Sequence, residues 1–299
     1  MNLNNNIIED NRVTNIIPAV NFHIWKYCNF KCKFCFATYE DQSMLYREKS
    51  HLSKEEMLSI IDEISKQGIT KITFAGGEPM LCKWLSDLIR HAKQVGLTTM
   101  IVTNGFLLTK EWIEAQKSNL DWITLSIDTV NPEYQVAIGR SNKKKFISKY
   151  EYLNKISLIK ENNIRLKLNT VVCSINSDEN LSEFIAEAQP ERWKIFQVLP
   201  MIGQNDLHIG DLVVSKNDYE AYIKRHNHLK TQGVNIVAEN NDLMKGSYLM
   251  IDPQGRFYDN NKGKYKYSDS ILEVGFEIAR KQVIISNEKF INRDGLYNW

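Results

Sequence analysis

The chain has 299 residues, 43% of them apolar, and a formal net charge of +2. That length suits one large α/β domain with an appendage, or two small domains, and that apolar share can bury a substantial core. So small a net charge gives no field aimed at a nucleic-acid polymer or an anionic membrane, and neither is expected as a partner.

Residues 1–15, with Asn2, Asn4, Asn5 and Asn6, read as a disordered segment. They lack the basic-then-apolar order of a secretory leader, and no apolar run of about 18 residues follows that would span a bilayer. The first strand is predicted over Ala19–Trp25 and runs into a loop carrying Cys28, Cys32 and Cys35. A helix over Lys54–Gln67 follows, opened by a capping box of Ser53 and Glu56. The second strand, Lys71–Phe74, ends in Ala75-Gly76-Gly77-Glu78-Pro79. After a helix over Lys83–Val95 comes a third strand, Thr98–Val102, ending in Thr103-Asn104-Gly105. A helix over Glu111–Gln116 leads to strand four, Trp122–Ile127, with Ser126 near its end and Ile138-Gly139-Arg140 beyond it. Helix Lys149–Glu161, strand Arg165–Val172, helix Glu179–Ala188 and strand Trp193–Leu199 complete the alternation.

Six strand–helix units in succession make a parallel sheet. Six rather than eight give a partial barrel, (β/α)6, with its site at the C-terminal ends of the strands. The barrel is expected over 16–205. Beyond it one helix, Lys216–Lys230, is clear, and the rest to 299 reads as a loop-rich extension covering the open face, cooperative with the barrel.

The three cysteines are the densest chemical signal. Thiolates are the ligands of iron–sulfur clusters, and three of them bind a cube while leaving its fourth iron open to a small molecule. An open position marks a catalytic rather than a structural metal site. Zinc or inert thiols are the competing readings. Zinc takes four ligands, and His23 sits on a predicted strand from which it is expected to point away from a compact loop site. Cys82 and Cys173 lie far apart in sequence and read as free core thiols, in keeping with a reducing, cytoplasmic setting.

Lysines carry the second signal. Lys71 begins strand two, Lys167 and Asn169 lie two apart on strand five and so share a face, and Lys194 is on strand six. Strand interiors deplete lysine. Any one strand lysine more often points outward into solvent, but if these face inward, several ammonium groups converge in one cavity and call for an anion, which a triphosphate supplies. Arg140 can hold a carboxylate with two parallel hydrogen bonds.

Cys28-x-x-x-Cys32-x-x-Cys35 together with Gly76-Gly77-Glu78-Pro79 resembles the radical S-adenosylmethionine (SAM) superfamily. The resemblance implies a [4Fe-4S] cluster on Cys28, Cys32 and Cys35 whose open iron chelates SAM. It implies that the backbone of Phe34 contacts the adenine, that Gly76, Gly77 and Glu78 receive the ammonium, and that Asn104 and Ser126 contact the ribose and methionine parts. Arg140 would take the SAM carboxylate or an anionic substrate.

Further segments are closer to one family within it. Asn21-Phe22-His23, Arg192-Trp193-Lys194-Ile195-Phe196-Gln197 and Gly246-Ser247-Tyr248-Leu249 resemble the viperins, specifically prokaryotic ones, over about residues 18 to 299. That implies conversion of a nucleoside triphosphate (CTP, UTP or GTP, a pyrimidine favoured) to its 3′-deoxy-3′,4′-didehydro analogue, in anti-phage defence. It implies removal of the 4′ hydrogen, loss of the 3′-hydroxyl and a one-electron donor such as flavodoxin or ferredoxin. Lys71, Lys167, Asn169 and Lys194 resemble the triphosphate-binding residues, Arg293 an arginine that closes over the phosphates, Asn21 a residue near the base and Tyr248 an aromatic near the reacting ribose. Ala75 departs from the serine of animal viperins, and basic residues around Lys262, Lys264 and Lys266 are shifted. The animal N-terminal amphipathic helix and longer tail are also missing, so no membrane association is expected. The alternative is another radical SAM enzyme acting on a different phosphorylated small molecule. Peptide-modifying members and the GTP cyclase of molybdopterin synthesis need a second cysteine set, and no cysteine follows Cys173.

Overall fold

The computed structural model describes residues 17–143 and 145–299. The disorder expected over 1–15 falls outside the described residues. Six parallel strands follow the predicted alternation: β1 (Ala19–Trp25), β2 (Lys71–Gly76), β3 (Thr98–Thr103), β4 (Trp122–Ser126), β5 (Arg165–Val172) and β6 (Arg192–Gln197). The sheet does not stop there. β7 (Asn235–Glu239) pairs parallel with β6, and β8 (Met250–Ile251) pairs parallel with β1 at the other side. β9 (Arg256–Asp259) and β10 (Lys266–Ser270) add antiparallel strands beyond β8. The order is β10-β9-β8-β1-β2-β3-β4-β5-β6-β7. The stretch from Asn240 on, expected to be loop-rich, thus contributes three short strands and several short helices.

Local chemistry places the helices. Ser53 and Glu56 form the expected reciprocal capping box at Lys54–Ser65, and Ser148 with Glu151 forms a second at Lys149–Glu161. Met57, Ile60, Ile61 and Ile64 turn one stripe of Lys54–Ser65 to the sheet, and Leu85, Leu88, Ile89 and Ala92 do the same from Leu85–Gln94. The sheet meets them with Phe22, Ile72, Phe74, Ile123, Leu168 and Trp193, all fully buried.

The two faces of the sheet differ. Parallel strands are ordinarily apolar on both. Here the register carries one continuous polar face across β4 to β6: Thr124 beside Lys167 beside Arg192, and Ser126 beside Asn169 beside Lys194. On a flat sheet β2 and β6 would stand about 19 Å apart. Yet the single ring of Tyr297 meets Lys71 on β2, Trp122 on β4 and Arg192 on β6. The sheet therefore curls around its polar face, which becomes the inside of a partial barrel. No helix among the described residues is long and apolar enough to cross a membrane.

Candidate active site

The cysteine loop leaves β1 at the C-terminal edge of the curled sheet and is held from both sides. From one side, Gly77 N–H donates to the Trp25 carbonyl (2.6 Å) and Glu78 N–H to the Tyr27 carbonyl (2.8 Å). A Cβ on Gly76 or Gly77 would overlap those same carbonyls. From the other side, Lys31 N–H donates to the Gly139 carbonyl (3.2 Å) and Lys33 N–H to the Ile138 carbonyl (2.9 Å). Gly139 has φ +79° and a Cβ there would overlap the Lys31 carbonyl oxygen, so the position requires glycine.

Within the loop Phe30 N–H points at Cys28 Sγ (3.4 Å) and Cys35 N–H at the Cys32 carbonyl (3.1 Å). Burial pushes the Cys28 thiol up to about 11 and the Cys32 thiol up to about 12, and raises Cys35 as well. Metal-free thiols so placed keep their protons, which a coordinating metal displaces outright. Among the described residues no three His, Cys, Asp or Glu side chains meet closely enough to share one metal ion. By their chemistry, three cysteine thiols on one clamped loop are the donor set an iron–sulfur cluster takes. Cys82 and Cys173 are buried elsewhere as free thiols.

Glu78 ties two strand ends together. Its carboxylate accepts from Thr103 Oγ1 (2.7 Å), Asn104 N–H (2.8 Å) and Met80 N–H (3.1 Å). Burial raises its pKa while those bonds oppose the rise. Asn104 in turn donates from Nδ2 to Asn29 Oδ1 (2.8 Å) and points at Cys28 Sγ (3.8 Å). Phe34 is buried 5.9 Å from the Arg140 guanidinium carbon. Arg140, expected to take the SAM carboxylate or an anionic substrate, also has a protein partner: its Nε donates to Asp128 Oδ2 (2.6 Å), and both groups are buried. Asp128 also accepts from Val171 N–H (2.8 Å), so this pair joins the cluster loop to β5.

Deeper in the barrel, cations accumulate. Lys71, Lys167, Lys194, Arg192 and Arg293 are each more than nine-tenths buried. Two carboxylates face them. Glu239, on β7, pairs with Lys194 and lies 3.7 Å from Arg293, and the half-exposed Asp294 takes Arg192 (2.6 Å). Tyr248 donates to Glu239 and accepts from Lys194 Nζ (3.3 Å), while the Arg293 guanidinium carbon sits 3.6 Å from its ring centroid. Burial holds the Lys71 and Lys167 ammonium groups well below the usual lysine range, and neighbouring cations, Lys194 first in each case, press the same way. Lys194 is brought down to about 7, burial outweighing the pull of Glu239. Asn169 Oδ1 is buried without a hydrogen-bond partner on the same face. Five basic side chains against two carboxylates leave this interior short of negative charge, the mark of an anion site, while the unpartnered Asn169 Oδ1 offers an acceptor to a hydroxyl.

The structure thus brings Lys71, Lys167, Asn169, Lys194, Arg293 and Tyr248 to one interior. Asn21 lies on β1, where it pairs with Thr73 and Met250. Lys262, Lys264 and Lys266 are exposed, and Lys266 donates to the Gln282 carbonyl (2.6 Å), outside this group. His23 is buried at the edge of Tyr39 and Tyr258, with Nδ1 unpartnered, and burial lowers it to about 4, so the imidazole is neutral. Sequence reasoning missed Glu239, because β7 was not predicted, and Asp128, whose role arises from packing alone; Thr103 was named in the strand-three motif but not as a partner of Glu78. Arg192 was quoted beside Lys194 but lay one residue outside the predicted strand and was given no role of its own.

The family model described as the radical SAM superfamily matches residues 23–188. A protein of Flammeovirga pacifica named "S-adenosylmethionine-dependent nucleotide dehydratase" is 46% identical over 285 residues, covering 95% of this chain and 97% of that one. One of the same name from Lacinutrix mariniflava is 49% identical over 284 residues, covering 95% of this chain and 59% of that longer protein. The solved structure described as "Native anSMEcpe with bound AdoMet and Kp18Cys peptide" superposes with a TM-score of 0.66 over 92% of this chain and 82% of that one. At 15% identity that likeness speaks for the fold alone.

Proposed function

The chain belongs to the radical SAM superfamily and, within it, to the S-adenosylmethionine-dependent nucleotide dehydratases, the viperins; from that membership we propose that it dehydrates a ribonucleoside triphosphate to the 3′-deoxy-3′,4′-didehydro analogue, a pyrimidine nucleotide being favoured. The observation that carries the reading is the buried cationic face of Lys71, Lys167 and Lys194 below the clamped cysteine loop, two features the dehydratase needs in one barrel.

Cys28, Cys32 and Cys35 would hold a [4Fe-4S] cluster, and Gly76–Glu78 with Asn104 and Ser126 at the strand ends would hold SAM. When bound, cluster and SAM supply the 5′-deoxyadenosyl radical that takes the 4′ hydrogen. The chain's own residues bind and orient. Lys71, Lys167, Lys194 and Arg293 receive the phosphates, which fixes the ribose toward the strand ends. Asn169 Oδ1 offers an acceptor on the way, and Tyr248, kept protonated by burial and by Glu239, offers a hydroxyl beside it. Glu78 positions Asn104 and the Gly76-Gly77 turn through its three hydrogen bonds. Arg140 and Asp128 hold the cysteine loop from beneath, which leaves the SAM carboxylate to other groups or to the remaining guanidinium donors.

Loss of the 3′-hydroxyl and closure of the double bond take up one further electron and a proton. A small one-electron carrier, flavodoxin or ferredoxin in type, would deliver it in a reducing cytoplasm. The product lacks a 3′-hydroxyl and would terminate RNA chains, in keeping with a role against phage. The test is an anaerobic assay of iron-reconstituted enzyme with SAM, reductant and each of the four ribonucleoside triphosphates in turn. One triphosphate is expected to release 5′-deoxyadenosine and yield a product lighter by one water in the mass spectrum. Deoxyadenosine release only with some other phosphorylated small molecule would favour a different radical SAM activity.

A further inference from the structure

The residues after Arg293 lie across the deep end of the cationic face. Helix Asn287–Asn292 stops at Arg293, Asp294 takes a left-handed conformation (φ 56°), and a Cβ on Gly295 would overlap the Phe290 carbonyl. The chain reverses there and passes under the first residues of β2, β4, β5 and β6. Asp294 meets Arg192 (2.6 Å), the Asn298 carbonyl accepts from Arg165 Nη1 (2.8 Å), and Tyr297 stands edge-on to Trp122 (5.8 Å) and to Trp299 (5.2 Å). Lys71 donates to the Tyr297 hydroxyl (3.1 Å), with its ammonium 4.5 Å from the Tyr297 centroid and 4.2 Å from that of Trp299.

These partners are soft. A π face and a neutral hydroxyl orient a cation without neutralising it, so Lys71 keeps its capacity for an anion. A plug meant only to fill space would be apolar throughout. This one sets its rings against Lys71 and Arg192, the cations farthest from the cysteine loop along their strands.

We propose that Tyr297 and Trp299 set the number of phosphates the site accepts: they hold the Lys71 ammonium for the terminal phosphate of a triphosphate and close the space beyond it. The inference rests on reading the cationic face as a nucleoside triphosphate site. Both residues act through Lys71 and through steric closure, so they determine specificity and take no part in the chemistry. A diphosphate stops short of Lys71, and a tetraphosphate runs into the rings.

Binding of cytidine and uridine 5′-di-, tri- and tetraphosphates to the reconstituted, SAM-loaded enzyme, followed by calorimetry, tests this without requiring turnover. The wild type is expected to bind the tetraphosphate and the diphosphate each about tenfold or more weakly than the triphosphate. Tyr297→Ala and Trp299→Ala are expected to relax the tetraphosphate penalty by about tenfold while weakening the triphosphate less. Tyr297→Phe keeps the ring and loses the hydroxyl, so it should still reject the tetraphosphate and bind the triphosphate roughly threefold more weakly. A wild type that binds tri- and tetraphosphate alike, or alanine variants that lose all three lengths in constant ratio, overturns the proposal. Should the alanine variants fail to fold, an unaltered triphosphate affinity in Tyr297→Phe overturns it instead. A wild type that selects length but dehydrates none of the triphosphates sinks the dehydratase reading and leaves the phosphate stop standing; one that binds none of the nucleotides sinks both.

Discussion

Lys194 is the side chain whose ionisation couples most directly to substrate. Burial lowers it from 10.5 to about 7 although Glu239 lies beside it. A lysine whose folded value lies below its unfolded one binds fewer protons folded than unfolded between those values. Its cost to stability is therefore greatest below about pH 7 and eases as pH rises toward the unfolded value. Phosphate binding favours the ammonium form and draws a proton in. Triphosphate affinity is expected to weaken as pH rises above about 7, and the Lys194→Arg variant, always charged at that position, to show a shallower slope, the lowered Lys71 and Lys167 keeping the rest; calorimetry in buffers of different ionisation enthalpy reads the proton uptake, and equal pH profiles for the two proteins would exclude Lys194. Lys167 has only like charges and Glu239 around it. Lys167→Ala should raise the KM for triphosphate by roughly tenfold to a hundredfold, the worth of one charged hydrogen bond, with SAM affinity unchanged; an unaltered KM removes Lys167 from the phosphate site. Cys28→Ala should abolish deoxyadenosine formation and the visible absorption of the reconstituted cluster, and retained activity would overturn the ligand assignment. Lys71, Lys167, Asn169 and Lys194 were legible because strand alternation is a local property: residues two apart share a face whatever the rest of the chain does. Their partner Glu239 was not, because a five-residue strand at a sheet edge carries little periodic signal.

At the scale of elements, the clamp on the cysteine loop decides whether the thiols can hold a cluster at all. It is built from backbone, by Gly77 and Glu78 on one side and Ile138 and Gly139 on the other. Gly139→Ala places a methyl group into the Lys31 carbonyl at a left-handed φ. It is expected to cost roughly 1–3 kcal/mol and to lower iron bound per chain after reconstitution, read by metal analysis beside a thermal melt. Normal iron content and melting temperature would show that the loop has another support. The glycines were visible as motifs, yet the reason for them was not. Gly-Gly-Glu-Pro looks like an ordinary turn until β1 and β2 are seen to pair and bring Trp25 and Tyr27 against it. Likewise the sequence offered Arg140 for a ligand's carboxylate but gave no sign that Asp128, just past β4, takes its Nε. The capping box at Ser53 was read in full, since it satisfies its own helix start within four residues; the same pattern at Ser148 went unread.

For the whole molecule, the curled sheet concentrates like charge in its interior, and a bound anion should relieve it. At a hundred times its dissociation constant a nucleoside triphosphate contributes about 2.7 kcal/mol of stability, which for a chain of this size raises the melting temperature by roughly 4 °C. Scanning fluorimetry with and without triphosphate checks this, and the absence of any shift at saturation would argue against an anion site. What the sequence by itself determined was the parallel (β/α) alternation, the cysteine loop at its mouth and the lysines on one strand face. Those follow from short-range rules of hydrophobic period, capping and alternation. What only the tertiary structure decided was how far the sheet extends, which carboxylates answer the cations, and that Tyr297 and Trp299 close the barrel from below. Those contacts join residues far apart in the chain, 226 positions between Lys71 and Tyr297 and further still to Trp299. No local pattern encodes them; they exist because a twisted parallel sheet must curl, and a curled sheet brings β2, β4 and β6 around one ring.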